Sequence, residues 1–359
     1  MQYYYNDRRV SFVEQRVYLC RKTKPVRHFN IPFFIPELGC PHQCVFCDQH
    51  RISGTQQGPK PEAVDLQVAT YLETLPKVER VIEIAFFGGN FTGLHLRQQE
   101  AFLKAASKWL ENGKVNGIRL STRPDYINDE VLALLKSFGV ISIELGAQSL
   151  DEEVLRLAGR GHRSTHVEEA SKMILDAGFV LGLQMMTGLP GDTLEKTLYT
   201  ARRIAELGAT ETRIYPTLVI RGTQLEQMHL NGSYQPLTMD ETIERCKQLL
   251  LFFEENNVKV LRLGLHPSEG LSQGSDLVAG PFHPALKELV TTAIWKDIFR
   301  ESVRNKTGQC LKLNIAPKEL NAAIGHKAAN KNWLLGQFDK VVFESDPELK
   351  GRAFHADYC

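Results

Sequence analysis

Cys40, Cys44 and Cys47 stand at spacings of four and three in the run Gly39-Cys-Pro-His-Gln-Cys-Val-Phe-Cys-Asp48. Three thiolates packed this closely suit a soft-metal centre: an iron–sulfur cluster, zinc or copper(I). A structural zinc site wants a fourth ligand, and His42 or His50 can supply it. Three cysteines on a [4Fe-4S] cube instead leave one iron open, which is what a cluster doing chemistry needs. The ferredoxin run spaces its cysteines differently and adds a fourth. Spacing alone leaves both readings open. Cys20, Cys246, Cys310 and Cys359 have no ligand spacing. Seven cysteines, so unevenly placed, argue for metal binding in a reducing compartment, with the cytoplasm as the default.

Such a loop must be held by a scaffold, and the chain alternates strand-like and helix-like segments after it. Strands are expected at 31–36, 81–87, 117–120, 140–145, 179–186, 212–215 and 258–264, with helices at 98–110, 129–138, 166–177, 194–207 and 239–256. Glycines stand at the helix ends, as repeated βα units require. Unusual groups follow nearly every strand: Gly88-Gly-Asn90, Ser121-Thr-Arg-Pro124, Gly146-Ala-Gln-Ser149 and Thr187-Gly-Leu-Pro-Gly191. A barrel builds its site from many strand ends, whereas an open doubly wound sheet concentrates it at one switch point. The expectation is an α/β fold, a partial (β/α)6 TIM-like barrel with a small C-terminal α+β extension. The expected domains are a basic N-terminal segment (1–30), the barrel (31–270) and the extension (271–359).

The 359 residues are 43% hydrophobic and 24% charged with a net charge of +1, an ordinary globular composition. It excludes a disordered or collagen-like chain and gives no support to a purely electrostatic nucleic-acid binder. No apolar run is long enough for a transmembrane helix, so no membrane partner is expected. Two segments are locally basic. Residues 8–27 hold seven Arg or Lys against one acid, and residues 304–331 hold six against one.

The cysteine loop is similar to the CxxxCxxC signature of the radical S-adenosylmethionine superfamily. The rest of the chain resembles the radical domain of the Elongator catalytic subunit. The segments that carry this are Phe87-Gly-Gly-Asn-Phe-Thr92, Ser121-Thr-Arg-Pro-Asp125, Glu144-Leu-Gly-Ala-Gln-Ser149, Arg160-Gly-His162, Met185-Met-Thr-Gly-Leu-Pro-Gly191 and Arg213 to Thr223. The resemblance implies a [4Fe-4S] cluster on Cys40, Cys44 and Cys47, with S-adenosylmethionine as the second cofactor. It also implies reductive cleavage of that cofactor to a 5'-deoxyadenosyl radical, with a tRNA (wobble uridine-like) as substrate. Reduced flavodoxin or ferredoxin is the electron donor such clusters use. The Elongator subunit continues into an acetyltransferase domain that this chain does not carry before Cys359, so a separate acyl-transfer partner is the expected complement. The superfamily's usual glycine-glycine-glutamate reads Gly88-Gly89-Asn90 here.

The same resemblance assigns expected roles. Phe46 shields the cluster or stacks near adenine. Gly88 and Gly89 let backbone approach the methionine amino group. Arg123 and Arg160 offer guanidinium forks to its carboxylate, and Gln148 serves the ribose or that carboxylate. Gln184 and Met186 lead into the turn where adenine would lie. Glu144, inside an apolar strand, must be paired if buried and is a candidate catalytic group. Tyr215 is a candidate relay for a hydrogen atom. The competing expectation is a radical enzyme acting on a small, porphyrinogen-like metabolite. A pure scaffold has no need of glycine-rich groups after successive strands.

Overall fold

The computed structural model describes residues 27–35, 40, 44–48, 51, 59–266, 268–304 and 306–358. The basic run at 8–26, His42, His50 and Cys20 lie outside the described residues.

Strands β1 (Arg27–Ile35), β2 (Arg80–Gly88), β3 (Gly117–Thr122), β4 (Val140–Gln148), β5 (Val180–Thr187) and β6 (Glu211–Pro216) are joined by β8 (Lys259–Leu263) in one sheet. A two-stranded antiparallel ribbon, β7 (Val219–Ile220) with β9 (Leu277–Ala279), stands apart from it. Every pairing in the large sheet is parallel, and its spatial order follows chain order. No switch point exists in such an order, so the sheet curls in one direction as an open, partial barrel. Among the described residues the sheet has seven strands, the seventh being Lys259–Leu263 on the edge of β6, within the bounds expected for the barrel.

Side chains alternate across each strand. Ile84, Phe86, Ile118, Leu120, Ile143, Leu145, Leu181, Leu183 and Ile214 are all buried. They form the apolar face covered by helices such as Leu96–Glu111, Asp129–Ser137, Ser164–Asp176 and Leu194–Glu206. Each fully buried side chain of this kind contributes about 1.5–3 kcal/mol. The opposite face carries Glu83, Arg119, Ser142, Glu144, Gln184, Glu211 and Arg213. A barrel lumen is ordinarily filled with branched apolar side chains; this one is polar.

The described residues of Thr23–Pro284 form one compact unit and those of Ala285–Cys359 another. The second is a helix, Leu286–Ser302, on a three-stranded sheet ordered β11–β10–β12, with β10 at Gly308–Ile315, β11 at Phe338–Ser345 and β12 at Phe354–Tyr358. Trp295 and Phe299 sit in its core with Leu311, Leu313, Ile315, Phe338 and Phe354. Between β10 and β11 stand two short helices, Leu320–Ile324 and Ala329–Leu335. Gly325, Lys327 and Ala328 take positive φ between them, which no helix tolerates. Among the described residues no helix is long and apolar enough to cross a membrane.

Candidate active site at the carboxyl ends of the strands

The cysteine loop follows β1 and is anchored by backbone bonds. Val45 N–H donates to the Ala158 carbonyl at 3.1 Å, and the Val45 carbonyl accepts from Leu225 N–H at 2.7 Å. Cys44, Val45 and Phe46 are buried among Val154, Ala158, Leu189, Val219, Leu225 and Tyr234, with Met186 and Cys47 packed against the same cluster. This places Phe46 and Met186 together beside the ligand loop.

Arg160 reaches the loop from beyond β4. Its Nη1 donates to Cys44 Sγ at 3.1 Å, and Nη2 donates to the Gly146 carbonyl. Its own carbonyl accepts from Arg123 Nη2 at 2.7 Å. Arg123 in turn holds Asp125 through two bonds of 2.9 Å. Burial works against the charge of Arg123, but Asp125 and then the sulfurs of Cys44 and Cys40 outweigh it and raise its pKa. The site is thus a chain of cations laid beside two of the three thiols, the setting that favours thiolate ligands.

Several polar atoms here are buried and have no partner of good geometry: Arg123 Nη1, Arg160 Nε, Gln148 Oε1 and both ring nitrogens of His162. The Ala147 carbonyl lies near the His162 ring without forming such a bond. Gln148 is one of the few non-glycine residues at positive φ, +65°, where β4 and β5 shift register. Strain and orphaned polar atoms at one place mark a site built for a ligand.

Gly88 and Gly89 end β2 against β1. Gly88 has φ +109°, and a Cβ there would come within 2.6 Å of the Ile35 carbonyl oxygen. Gly89 N–H donates to that same oxygen at 2.8 Å. Asn90 is fully buried, and its Oδ1 accepts from Thr122 Oγ1 at 2.6 Å and from Arg123 N–H at 3.2 Å. The residue that departs from the superfamily pattern is a brace between the ends of β2 and β3.

Glu144 lies deeper, 1% exposed, in the interior network. Arg213 donates to both of its oxygens, Arg119 Nη1 to Oε1 at 3.0 Å and Gln184 Nε2 to Oε2 at 3.0 Å. Burial opposes its charge, yet Arg213 and then Arg119 hold the carboxyl below its ordinary pKa. Arg119 also bonds Glu83 at 2.6 Å and Glu211 at 2.9 Å. Arg213 stacks on the Phe87 ring at 4.5 Å, and half-buried Tyr215 lies beside it. Burial raises the Tyr215 pKa against the pull of Arg213.

The expected residues therefore fall in two groups. Cys40, Cys44, Cys47, Phe46, Arg123, Gln148, Arg160 and Met186 gather at the rim, with Gly88 and Gly89 at the end of β2. Glu144, Gln184 and Tyr215 gather on the inner wall. The Thr187–Gly191 turn is less available than expected, since Gly188 N–H donates to Asp192 Oδ2 at 2.7 Å and its carbonyl accepts from Tyr234 at 2.6 Å. Arg119, Arg213, Asn90 and Asp192 carry the site's framework and were not read from sequence. A lone charge inside an apolar strand, as in Gly117-Ile-Arg-Leu120, was the signal for Arg119.

The chemistry of the donor set fits a cluster with a bound amino acid cofactor: three cysteines on one loop, Arg160 and Arg123 beside it, and buried donors on both arginines that no protein group fills. Among the described residues no three His, Cys, Asp or Glu side chains converge as a single metal ion requires.

Comparison with known proteins agrees. The family model described as "Radical SAM superfamily" matches residues 35–204, and the "Radical_SAM C-terminal domain" matches residues 210–296. The tRNA uridine(34) acetyltransferase of Methanocaldococcus infernus is 27% identical over 266 residues, 62% of this chain and 50% of that protein. Elongator complex protein 3 of Homo sapiens is 27% identical over 277 residues, 64% of this chain and 51% of that protein. The chain thus spans about half the length of these relatives. The solved Elp3 of Methanocaldococcus infernus with an N-terminal deletion superposes with a TM-score of 0.57 at 21% identity, covering 78% of this chain and 64% of that one, a likeness of fold. Three cysteines in the superfamily's spacing on a curled parallel sheet, with family models that match residues 35–204 and 210–296 in turn, show that the chain belongs to the radical SAM superfamily, whose members use a [4Fe-4S] cluster and S-adenosylmethionine.

Proposed function

We propose that this protein is a cytoplasmic radical enzyme that modifies a wobble-position or similar uridine of tRNA. The observation that carries this reading is the likeness, across more than half of the chain, to proteins named tRNA uridine(34) acetyltransferase and Elongator complex protein 3. The bound cluster and cofactor supply one-electron reductive cleavage of a sulfonium carbon–sulfur bond, the hard step that the protein itself cannot perform. Cys40, Cys44 and Cys47 would hold the cluster, with Phe46 and Met186 excluding water and oxygen around it. Gly88 and Gly89 admit the cofactor's amino group, while Arg123, Arg160 and Gln148 meet its carboxylate and ribose. Glu144, itself held by Gln184, fixes Arg213, which orients Tyr215 toward the substrate as the group that relays a hydrogen atom. Glu144 in this reading is a positioning residue, since both oxygens are already bonded. Reduced flavodoxin or ferredoxin supplies the electron, and a separate acyl-transfer protein completes any acetyl-dependent product.

The test is 5'-deoxyadenosine formation by anaerobically reconstituted, dithionite-reduced protein, with and without unmodified bulk tRNA, beside Cys44→Ala. Stimulation by tRNA that the variant lacks is expected. Cofactor cleavage indifferent to tRNA would refute the nucleic-acid reading in favour of a small-molecule substrate.

A further inference from the structure

Arg262 lies on β8 in register with Arg213 on β6. Residues paired across a ladder project to the same face, and Arg213 points inward to Glu144. Arg262 therefore also faces the interior. Its guanidinium is fixed in place: Nε donates to the Gly264 carbonyl at 2.9 Å and Nη2 to the Leu265 carbonyl at 3.0 Å. Both carbonyls lie past the end of β8, so the cation sits at the carboxyl rim, the same rim that carries the cysteine loop.

The inward arginines of the neighbouring strands have acidic partners, whereas Arg160 at the rim is held by Cys44 Sγ and the Gly146 carbonyl. Arg119 has Glu83, Glu144 and Glu211; Arg213 has Glu144; Arg123 has Asp125. Arg262 has none among the described residues, and its Nη1 makes no hydrogen bond to them. The titratable groups beside it are Tyr215, whose raised pKa keeps it a neutral phenol, and Arg213, which repels the cation. Burial is the larger effect and draws its pKa below the ordinary arginine value, with Arg213 adding to this. An arginine stays charged all the same. This half-buried, immobilised guanidinium is desolvated with two carbonyl bonds but no counter-charge among the described residues. Its remaining donor edge fits the paired oxygens of a phosphate.

We propose that Arg262 binds a backbone phosphodiester of the RNA substrate at the rim, beside Tyr215, and so sets which nucleotide enters the interior. This rests on the tRNA reading above. An enzyme acting on a base takes that base out of its stack into a pocket while the flanking phosphates stay outside. A fixed cation at the rim of the inner wall is where such a phosphate must pass.

The test uses reconstituted wild-type, Arg262→Gln and Arg262→Lys proteins, each checked for iron content and thermal midpoint. Binding of unmodified bulk tRNA is titrated by fluorescence anisotropy at rising KCl. Arg262→Gln is expected to bind about tenfold more weakly, with the slope of log affinity against log salt reduced by about one. Arg262→Lys restores the slope but not the full affinity, because the fork is lost. Equal affinity and slope in all three proteins overturns the proposal and leaves the tRNA reading standing. Failure of wild type to bind tRNA ends that reading instead, and a titration with uridine 5'-monophosphate then separates the two. Binding that Arg262→Gln abolishes supports the anion site and overturns its RNA source; no binding by either protein overturns the site as well.

Discussion

The Arg160 guanidinium donates to Cys44 Sγ at 3.1 Å while its second arm holds the Gly146 carbonyl. One side chain thereby links the cluster loop to the end of β4. Hydrogen bonds to a ligating sulfur tune a cluster's potential, because they stabilise the more negative, reduced form. Arg160→Met should move the midpoint of the reconstituted cluster to a more negative value. A tenfold change in the reduction equilibrium is about 59 mV for one electron, which sets the scale. An electron paramagnetic resonance titration measures it, and an unmoved midpoint would dismiss the bond as a tuning contact.

Arg119 is 2% exposed and serves three carboxylates on three strands. Its removal leaves buried charges without compensation. Arg119→Met should lose about 3–5 kcal/mol of stability, the usual cost of breaking a buried ion pair from one side. Lys172→Ala breaks an exposed pair with Asp176 and should leave the unfolding midpoint unchanged. Urea denaturation of both variants gives the comparison, and similar losses would contradict a special role for the interior network.

His162 offers a pH test. Burial, followed by the charges of Arg160 and Arg123, lowers its pKa from 6.5 to about 3. An unfolded chain takes up that proton below pH 6.5, whereas the native protein does not until about pH 3. Between those values the unfolded state binds more protons, so stability falls as pH falls, by up to about 1.4 kcal/mol per pH unit for one group. His162→Gln should flatten this dependence between pH 6.5 and 3. Urea midpoints measured across the window decide it; parallel curves for the two proteins would mean that His162 titrates normally.

Gly88 combines positive φ with contact against the Ile35 carbonyl. Gly88→Ala must shift β2 away from β1 and with it the Gly89 bond to Ile35. A strain of roughly 1–3 kcal/mol is expected, together with at least tenfold weaker S-adenosylmethionine binding by equilibrium dialysis at unchanged iron content. Wild-type affinity in the variant would remove the glycine pair from the cofactor site.

Much of the fold was legible before any coordinates. Helix-terminal glycines such as Gly113, Gly139, Gly178 and Gly208 do stand at positive φ after their helices, because only glycine enters that conformation without strain. The helix Ala63–Thr74 was missed, since only Val64 and Val68 of it are buried and its apolar pattern is weak. The strand Phe354–Tyr358 was missed for a related reason: its burial alternates poorly and is imposed by pairing with β10.

By itself the sequence determined the ligand loop and the alternating βα order, because cysteine spacing and apolar periodicity are local properties, and its motifs carried the resemblance to the family. Only the tertiary structure decided which charges meet. Arg119 pairs with Glu211 across 92 residues, and Arg160 meets Cys44 across 116. Nothing local specifies such a partner. It is set by curling consecutive strands until their inward side chains converge, and a buried charge then takes whatever counter-charge that curvature brings within reach.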